Sequence, residues 1–112
     1  QILSYRMISL EAFRKLSLSF PETTAEPHFE KTSFRIKKKI FATLDIKNGI
    51  ACIKLSATDQ DIFCLIDKEI IYPVPNKWGQ QGWTLINLAK IKKPLLTDVL
   101  TTAYHEVAKK PK

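Results

Sequence analysis

The sequence has few of the residues and patterns on which disulfide-bonded, metal-binding and membrane proteins depend. Cysteine occurs only twice, at Cys52 and Cys64, without a CxxC pair, which excludes a disulfide framework and favours the reducing cytoplasm. No apolar run approaches the ~20 residues that a membrane-spanning helix requires. The two histidines, His28 and His105, lie far apart and lack partners at metal-ligand spacing. We therefore expect no metal, no cofactor and no membrane partner.

Catalytic and nucleotide-binding signatures are also missing. The chain contains no Ser-His-Asp or Cys-His pattern, no phosphate-binding loop and no dinucleotide fingerprint. Asp59 and Asp61 resemble a cation site, but two acids in the first turn of a helix are explained by the helix dipole. The prediction is a protein that is not an enzyme and has no catalytic residues. The alternative is an active site that the fold assembles from residues distant in the sequence, which no motif would reveal.

Lysine is what the sequence has in excess. Eighteen Lys and Arg residues against eleven Asp and Glu give a net charge of +7, and only three of the eighteen are arginine. A charge of this sign favours anionic partners such as nucleic acid. Because bidentate recognition of guanine edges prefers arginine, lysine favours sequence-independent contacts with phosphates. The predicted partner is therefore DNA, bound without sequence preference.

The hydrophobic pattern predicts one α+β domain. Ser9 begins a helix that Pro21 ends, and residues 20–27 are a predicted loop. Three antiparallel strands follow at residues 32–36, 39–46 and 50–55, joined by turns at Lys37-Lys38 and Lys47-Asn48-Gly49. The remaining predicted elements are a short helix capped by Thr58, an extended segment at 70–75, a turn at 76–82, a strand at 83–88 and a long helix from Pro94.

This order predicts the architecture and the domain limits. We expect an antiparallel sheet of four to five strands, with the N-terminal and C-terminal helices packed on one face. Residues 7–112 are expected to form a single domain. Residues 1–6 are expected to be a leader or a cloning remnant, because Met7 stands directly before the first helix signal.

Strand alternation predicts which side chains the helices leave free. With Phe34, Ile36, Ile40, Ala42 and Leu44 facing the helices, the opposite face carries Arg35, Lys39, Phe41, Thr43, Cys52 and Lys54. In the last strand the same register places Trp83, Leu85 and Asn87 outward and Ile86 and Leu88 inward. Cations beside an aromatic ring are typical of a surface on which bases stack. Alternatively, Phe41 and Trp83 pack under a loop, and the lysines are solvated charges that blunt strand edges.

The candidate nucleic-acid contacts are the cations of two turns and one sheet face: Arg35, Lys37, Lys38, Lys39, Lys47 and Lys54. The three consecutive lysines stand at a hairpin tip that phosphates can reach, although a charge run is also typical of a solvated turn. Phe41 and Trp78 are candidates for stacking or for an interface. A second hypothesis is therefore a protein-interaction module, a monomer or a weak homodimer, that associates through Trp78, Tyr72 and the sheet edge.

Several segments in collinear order resemble one known family. Residues 29–36 and 39–44 are similar to the segment sF-x-v-x-x-K-v-F-a of the YjbR/MmcQ family, and the further similar segments are 53–55, 82–85, 102–104 and 20–24, where Glu22 replaces the usual glycine. The resemblance covers nearly the whole chain from Met7. It implies a CyaY-like fold without established catalytic residues, and DNA binding by a double wing of hairpins. The wings would be the turns at residues 37–39 and 47–49. Frataxin-type iron binding is not implied, because the first helix has no acidic ridge.

Overall fold

The computed structural model describes residues 8–109 of the chain, so the prediction for residues 1–6 lies outside the described part. The elements follow in the order α1 (Leu10–Leu18), β1 (Thr23–His28), β2 (Lys31–Ile36), β3 (Lys39–Asp45), β4 (Ile50–Lys54), α2 (Ala57–Cys64), β5 (Ile71–Pro73), α3 (Lys77–Gln80), β6 (Trp83–Asn87) and α4 (Lys93–Ala108). Within residues 8–109, no helix combines the length and the apolar character needed to cross a membrane.

All six strands form one antiparallel sheet in the order β1-β2-β3-β4-β6-β5, which confirms the predicted α+β class. The strand count is higher than predicted because β1 occupies the segment expected to be a loop. Its sequence has a proline and few β-branched residues, but an edge strand tolerates proline, and pairing along the whole of β2 holds it extended. Residues 77–80 also differ from the prediction, forming a short helix within the expected turn.

The helices pack on one face of the sheet. In α1, Ser9 accepts a hydrogen bond from the Ala12 amide as predicted, and the buried Phe13 meets Phe34 of β2 edge-on, with ring centroids 5.7 Å apart. Helix α4 buries a stripe against β2, β3 and β4, and its residues are Leu96, Val99, Leu100, Ala103 and Tyr104. Ser56 rather than Thr58 caps α2, because its side chain is the one that accepts from the Asp59 amide. The hydrophobic core therefore lies between the sheet and the helices α1 and α4.

A bulge in β3 changes which side chains face the helices. Phe34 pairs with Ala42, but the next residue, Arg35, pairs with Ile40, so Phe41 is an extra residue in β3. Phe41 is 0% exposed and lies 5.6 Å from the Tyr104 ring and 6.1 Å from the Phe20 ring, centroid to centroid. The prediction that Phe41 faces outward is therefore wrong, and this ring is not available for stacking or for an interface.

The bulge also reverses the sheet faces on which the two residues before it lie. Lys39 pairs with the buried Ile36 and so belongs to the helix side, whereas Ile40 pairs with Arg35 on the opposite face. Both assignments reverse the prediction. The rest of the alternation is as predicted: Thr43, Cys52 and Leu85 pair in one row of half-buried side chains on the face away from the helices, and Lys54 pairs with Trp83 in the next row.

Candidate nucleic-acid interface

Most of the predicted cationic residues gather at one end of the sheet. Strands β2 and β3 are antiparallel, so the turn between them lies at the end where β4 finishes and β6 begins. At that end the two-residue turn exposes Lys37 and Lys38, and β3 starts with the exposed Lys39. We call this surface the basic end and define it by Arg35, Lys37, Lys38, Lys39 and Lys54.

A groove of about 360 Å³ opens at the basic end. One side is formed by the sheet and the other by the last turn of α4, and its lining residues are Lys39, Ile40, Lys54, Trp83, Glu106, Val107 and Lys109. The lining thus combines three lysines and one glutamate with the apolar side chains of Ile40 and Val107 and the half-buried indole ring of Trp83. Cations beside an aromatic ring suit a ligand that has both a flat apolar part and an anionic part. We call this groove the basic groove.

The charges of the basic end are not neutralised inside the protein. Within residues 8–109, the ion pairs are Lys90–Glu69 and Lys109–Glu106, so the five cations that define the basic end have no carboxylate partner there. Arg35 donates from Nε to Ser33 Oγ at 2.9 Å, and Lys54 donates to the Leu55 carbonyl at 3.4 Å. Glu106 and the negative end of the α4 dipole offset part of the charge inside the groove. Lys37 and Lys38 do not line the groove but lie in the turn directly before Lys39, which we call its rim, and within residues 8–109 neither belongs to an ion pair.

The turn at the rim is held in an unfavourable backbone conformation. Lys37 has φ 50° and Lys38 has φ 73°, both in the left-handed region, as the central positions of a type I′ turn require. This turn strongly prefers Asn-Gly, because a side chain with a Cβ costs roughly 1 kcal/mol or more per residue in the left-handed region. Two adjacent cations add mutual repulsion. Lysine at these positions therefore opposes local stability, which is a reason to look for a role outside folding.

Lys47 does not join the basic end. The predicted hairpin forms, with Gly49 at φ 67° and its amide bonded to the Asp45 carbonyl at 2.8 Å. However, it lies at the other end of β3, roughly 20 Å away for a seven-residue strand. The Asn48 side chain donates to the Asp45 carboxylate at 2.8 Å, and this hydrogen bond lowers the pKa of Asp45. The two turns predicted as wings thus point in opposite directions, and grouping Lys47 with Lys37–Lys39 is wrong.

A different residue stands beside the Lys47 turn. The tip between β1 and β2 is at the same end of the sheet as Lys47, and it presents Phe29 at φ 60° with 94% of its surface exposed. Sequence reasoning missed this tip because it missed β1. Once β1 is known, a two-residue connection between β1 and β2 places Phe29 at the end of the hairpin.

The basic groove contains Trp83 and not Trp78, the tryptophan predicted as the candidate for stacking or for an interface. Trp78 is half-exposed on α3 and does not line the basic groove. Trp83 pairs with Lys54 across β4 and β6 and lines that groove together with residues of the last turn of α4. The outward parity of Trp83, Leu85 and Asn87 is the sequence signal for this placement, since it puts the ring on the row that also contains Lys54.

Two observations on the described residues concern nucleophilic and metal chemistry. Burial raises the pKa of the Cys52 thiol to about 11, so at neutral pH it is protonated and a poor nucleophile. Within residues 8–109, no three His, Cys, Asp or Glu side chains group closely enough to hold a metal ion. The surface that the structure presents at the basic end is a cationic groove with one indole ring.

The comparisons with known proteins agree with the fold. The family model named YjbR matches residues 18–106. The chain belongs to the YjbR family. The crystal structure of protein DR2400 from Deinococcus radiodurans, whose domain is assigned to DUF419, is similar to this YjbR-family chain with a TM-score of 0.79, 21% sequence identity, and coverage of 96% of this chain and 84% of that one. At this identity the similarity shows the fold alone. None of the curated proteins matches the chain.

Proposed function

We propose that this YjbR-family protein is a non-catalytic nucleic-acid-binding protein that contacts DNA phosphates at the basic end of its sheet. The observation that carries the proposal is the basic groove, where Lys39 and Lys54, which form no ion pair within residues 8–109, line the same surface as Trp83. Lysine ammonium groups on flexible stems follow a phosphate backbone without a fixed geometry. The indole supplies a ring on which a base or sugar packs irrespective of sequence. Binding of this kind is non-specific.

The arrangement also sets the expected strength and salt dependence. Lys37, Lys38, Lys39 and Lys54 are the cations closest to a backbone that enters the groove from the hairpin tip. Each phosphate contact that is neutralised contributes about −0.9 to the slope of log affinity against log salt on duplex DNA, so three or four contacts give a slope of roughly −3 to −4. Arg35 donates from Nε to Ser33 Oγ, which ties its guanidinium group to the sheet.

The direct test is fluorescence anisotropy with a labelled duplex of about 20 base pairs and with the corresponding single strand, over a series of salt concentrations. We expect measurable binding at low salt that weakens with the slope given above. The triple variant Lys37→Glu, Lys38→Glu, Lys39→Glu should lose affinity by on the order of 100-fold, because attraction at the rim becomes repulsion.

A matched control separates the basic end from net charge. The variant Lys47→Glu, Lys92→Glu, Lys93→Glu changes the net charge by the same amount, but its residues do not line the basic groove. It should keep most of the affinity. Equal losses in the two variants would contradict the assignment to the basic end, and a wild type that binds neither probe at low salt would overturn the proposed function.

The strained turn allows a second test, in which stability and binding change in opposite directions. Replacing Lys37 by Asn and Lys38 by Gly should raise the free energy of unfolding by about 1–2 kcal/mol, because the new residues prefer the left-handed region. The same change should weaken DNA binding, because two rim cations are removed. Urea unfolding followed by tryptophan fluorescence measures the first effect, and anisotropy measures the second.

The control for this test is Lys37→Gln with Lys38→Gln. It removes both charges but keeps side chains that disfavour positive φ, so binding should fall without the gain from relieved backbone strain. If the Asn-Gly variant binds as tightly as the wild type, the two lysines have no role in binding.

A further inference from the structure

A second groove lies away from the basic end, between α2 and the edge strand β5. Its volume is about 520 Å³ and its lining is mainly apolar, comprising Asp61, Cys64, Leu65, Lys68, Ile71, Tyr72 and Pro73. Beside it, the last turn of α2 and the two residues that follow the helix expose three large aliphatic side chains within five residues. Leu65 is 79% exposed, and Ile62 and Ile66 are each more than half exposed. A cluster of this kind on a small protein indicates an interaction surface.

The exposed side of α2 is held in place rather than loosely packed. Gln60, on the other side of the helix, is buried and donates from Nε2 to the Gly79 carbonyl at 2.9 Å and to Thr84 Oγ1 at 3.1 Å. These bonds tie α2 to β6 and α3. The turn after the helix is held by hydrogen bonds from the Leu65 amide to the Ile62 carbonyl and from the Ile66 amide to the Phe63 carbonyl. A partner therefore meets a preformed apolar surface.

The adjacent strand edge excludes one mode of docking. On β5 the Ile70 carbonyl accepts from the Asn87 amide and the Val74 amide donates to the Trp83 carbonyl, so these groups face β6. The backbone nitrogens of Ile71 and Pro73 therefore point away from β6. The Ile71 amide is bonded to the Asp67 carbonyl at 3.0 Å, and proline has no N–H. The outer edge of β5 therefore offers no free amide for an added strand. Association through the sheet edge is not supported at β5, and a partner must bind through side chains.

The groove has one exposed acidic and one exposed basic side chain, and these are complementary in charge to the same two side chains of a second copy of the chain. Asp61 and Lys68 lie on either side of Leu65 along the chain; both are exposed, and neither belongs to an ion pair within residues 8–109. In a pair of chains related by a two-fold axis near Leu65, Asp61 of each copy faces Lys68 of the other. The apolar residues between them then meet their own counterparts. A different protein partner would need no such symmetry of charge.

We propose that a second copy of this chain docks on the α2–β5 groove to form a two-fold homodimer, with Leu65 at its centre and two Asp61–Lys68 ion pairs at its margin. The inference is independent of nucleic-acid binding, since none of its residues belongs to the basic end. Because the apolar area is small, the dimer is weak, with a dissociation constant on the order of 10–100 µM.

The dimer is tested by reversing the charge of Asp61 or of Lys68 and measuring sedimentation velocity from a few micromolar to several hundred micromolar. The wild type should shift from monomer to dimer with concentration. Asp61→Lys and Lys68→Asp should each stay monomeric, because each places like charges together twice. Mixed in equal amounts, the two variants should dimerise with each other. The lysine introduced in one variant then meets the aspartate introduced in the other, and the unchanged Asp61 meets the unchanged Lys68. This rescue shows that residue 61 of one copy faces residue 68 of the other.

Two controls complete the experiment. Leu65→Asp should abolish dimerisation while leaving the far-ultraviolet circular dichroism unchanged, because Leu65 is mostly exposed in the monomer. Trp78→Ala should dimerise like the wild type, since Trp78 does not line this groove. A wild type that is monomeric at every concentration leaves the groove to another protein and overturns the proposal. So does a dimer that survives both single charge reversals, or a mixture that fails to associate.

Discussion

Replacing Phe41 by Ala is expected to lower the free energy of unfolding by about 3–5 kcal/mol, among the largest effects of any single change in this chain. The ring is fully buried in a cluster with Phe20 and Tyr104, which are themselves stacked at 4.7 Å. Removing it leaves a cavity among aromatic rings that the sheet and α4 hold apart. Urea unfolding, monitored by circular dichroism at equilibrium, measures the change.

Phe29→Ala is the matched control, since it deletes the same side chain from a position that is 94% exposed. Its free energy of unfolding should change by less than about 0.5 kcal/mol, as is usual for surface substitutions. If the two variants lost similar stability, the bulge would not direct Phe41 into the core, and the outward placement predicted from simple alternation would be restored.

This contrast marks the limit of what strand alternation predicts. Local patterns predict the order of the elements other than β1 and α3, the packing of the helices on one face, and the helix starts at Ser9 and Pro94. They also predict the outward row of Thr43, Cys52 and Leu85. They do not predict the bulge, because residues 39–44 alternate plausibly in either register. What decides the register is contact with Phe20 and Tyr104, which are distant in the chain and unknown until the fold is formed.

Part of the candidate site can be predicted from the sequence, because strand pairing determines which of its residues lie together. The lysines of the β2–β3 turn and Lys54 come together because antiparallel pairing brings the start of β3 beside the end of β4. The same rule excludes Lys47, since successive turns of a meander lie at opposite ends of the strands, and this conclusion was available from the sequence. Lys109 and Val107 were not predictable partners, because their place in the groove depends on where α4 crosses the sheet.

Strand β1 shows a third kind of limit. Its residues Thr23–His28 include Glu26 and Pro27 and have little preference for an extended strand in isolation. They become a strand because β2 offers a complete row of partners, with Ala25 opposite Phe34 in the core register. Tertiary pairing therefore overrides local preference here.

The second large effect is expected at Gly82, where β6 begins beside the basic groove. Gly82 has φ 105°, which residues with a Cβ rarely adopt, and an added Cβ would lie 1.8 Å from the Leu55 carbonyl oxygen. That strand end cannot move away freely, because the Leu55 amide donates to the Gly82 carbonyl at 2.9 Å. Gly82→Ala should therefore lower the free energy of unfolding by about 3–5 kcal/mol through backbone strain and overpacking together.

The same substitution should also weaken nucleic-acid binding in the molecules that stay folded. The Gly82 Cβ position is 3.2 Å from Lys54 Nζ, and the next residue is Trp83, so separating β4 from β6 displaces both groups of the basic groove. Gln81→Ala, which changes the exposed neighbour at φ −88°, should leave both stability and binding near the wild type. Unfolding in urea and anisotropy at a temperature where both variants are folded separate the two effects. A folded Gly82→Ala protein with unchanged affinity would show that the spacing of Lys54 and Trp83 does not determine binding.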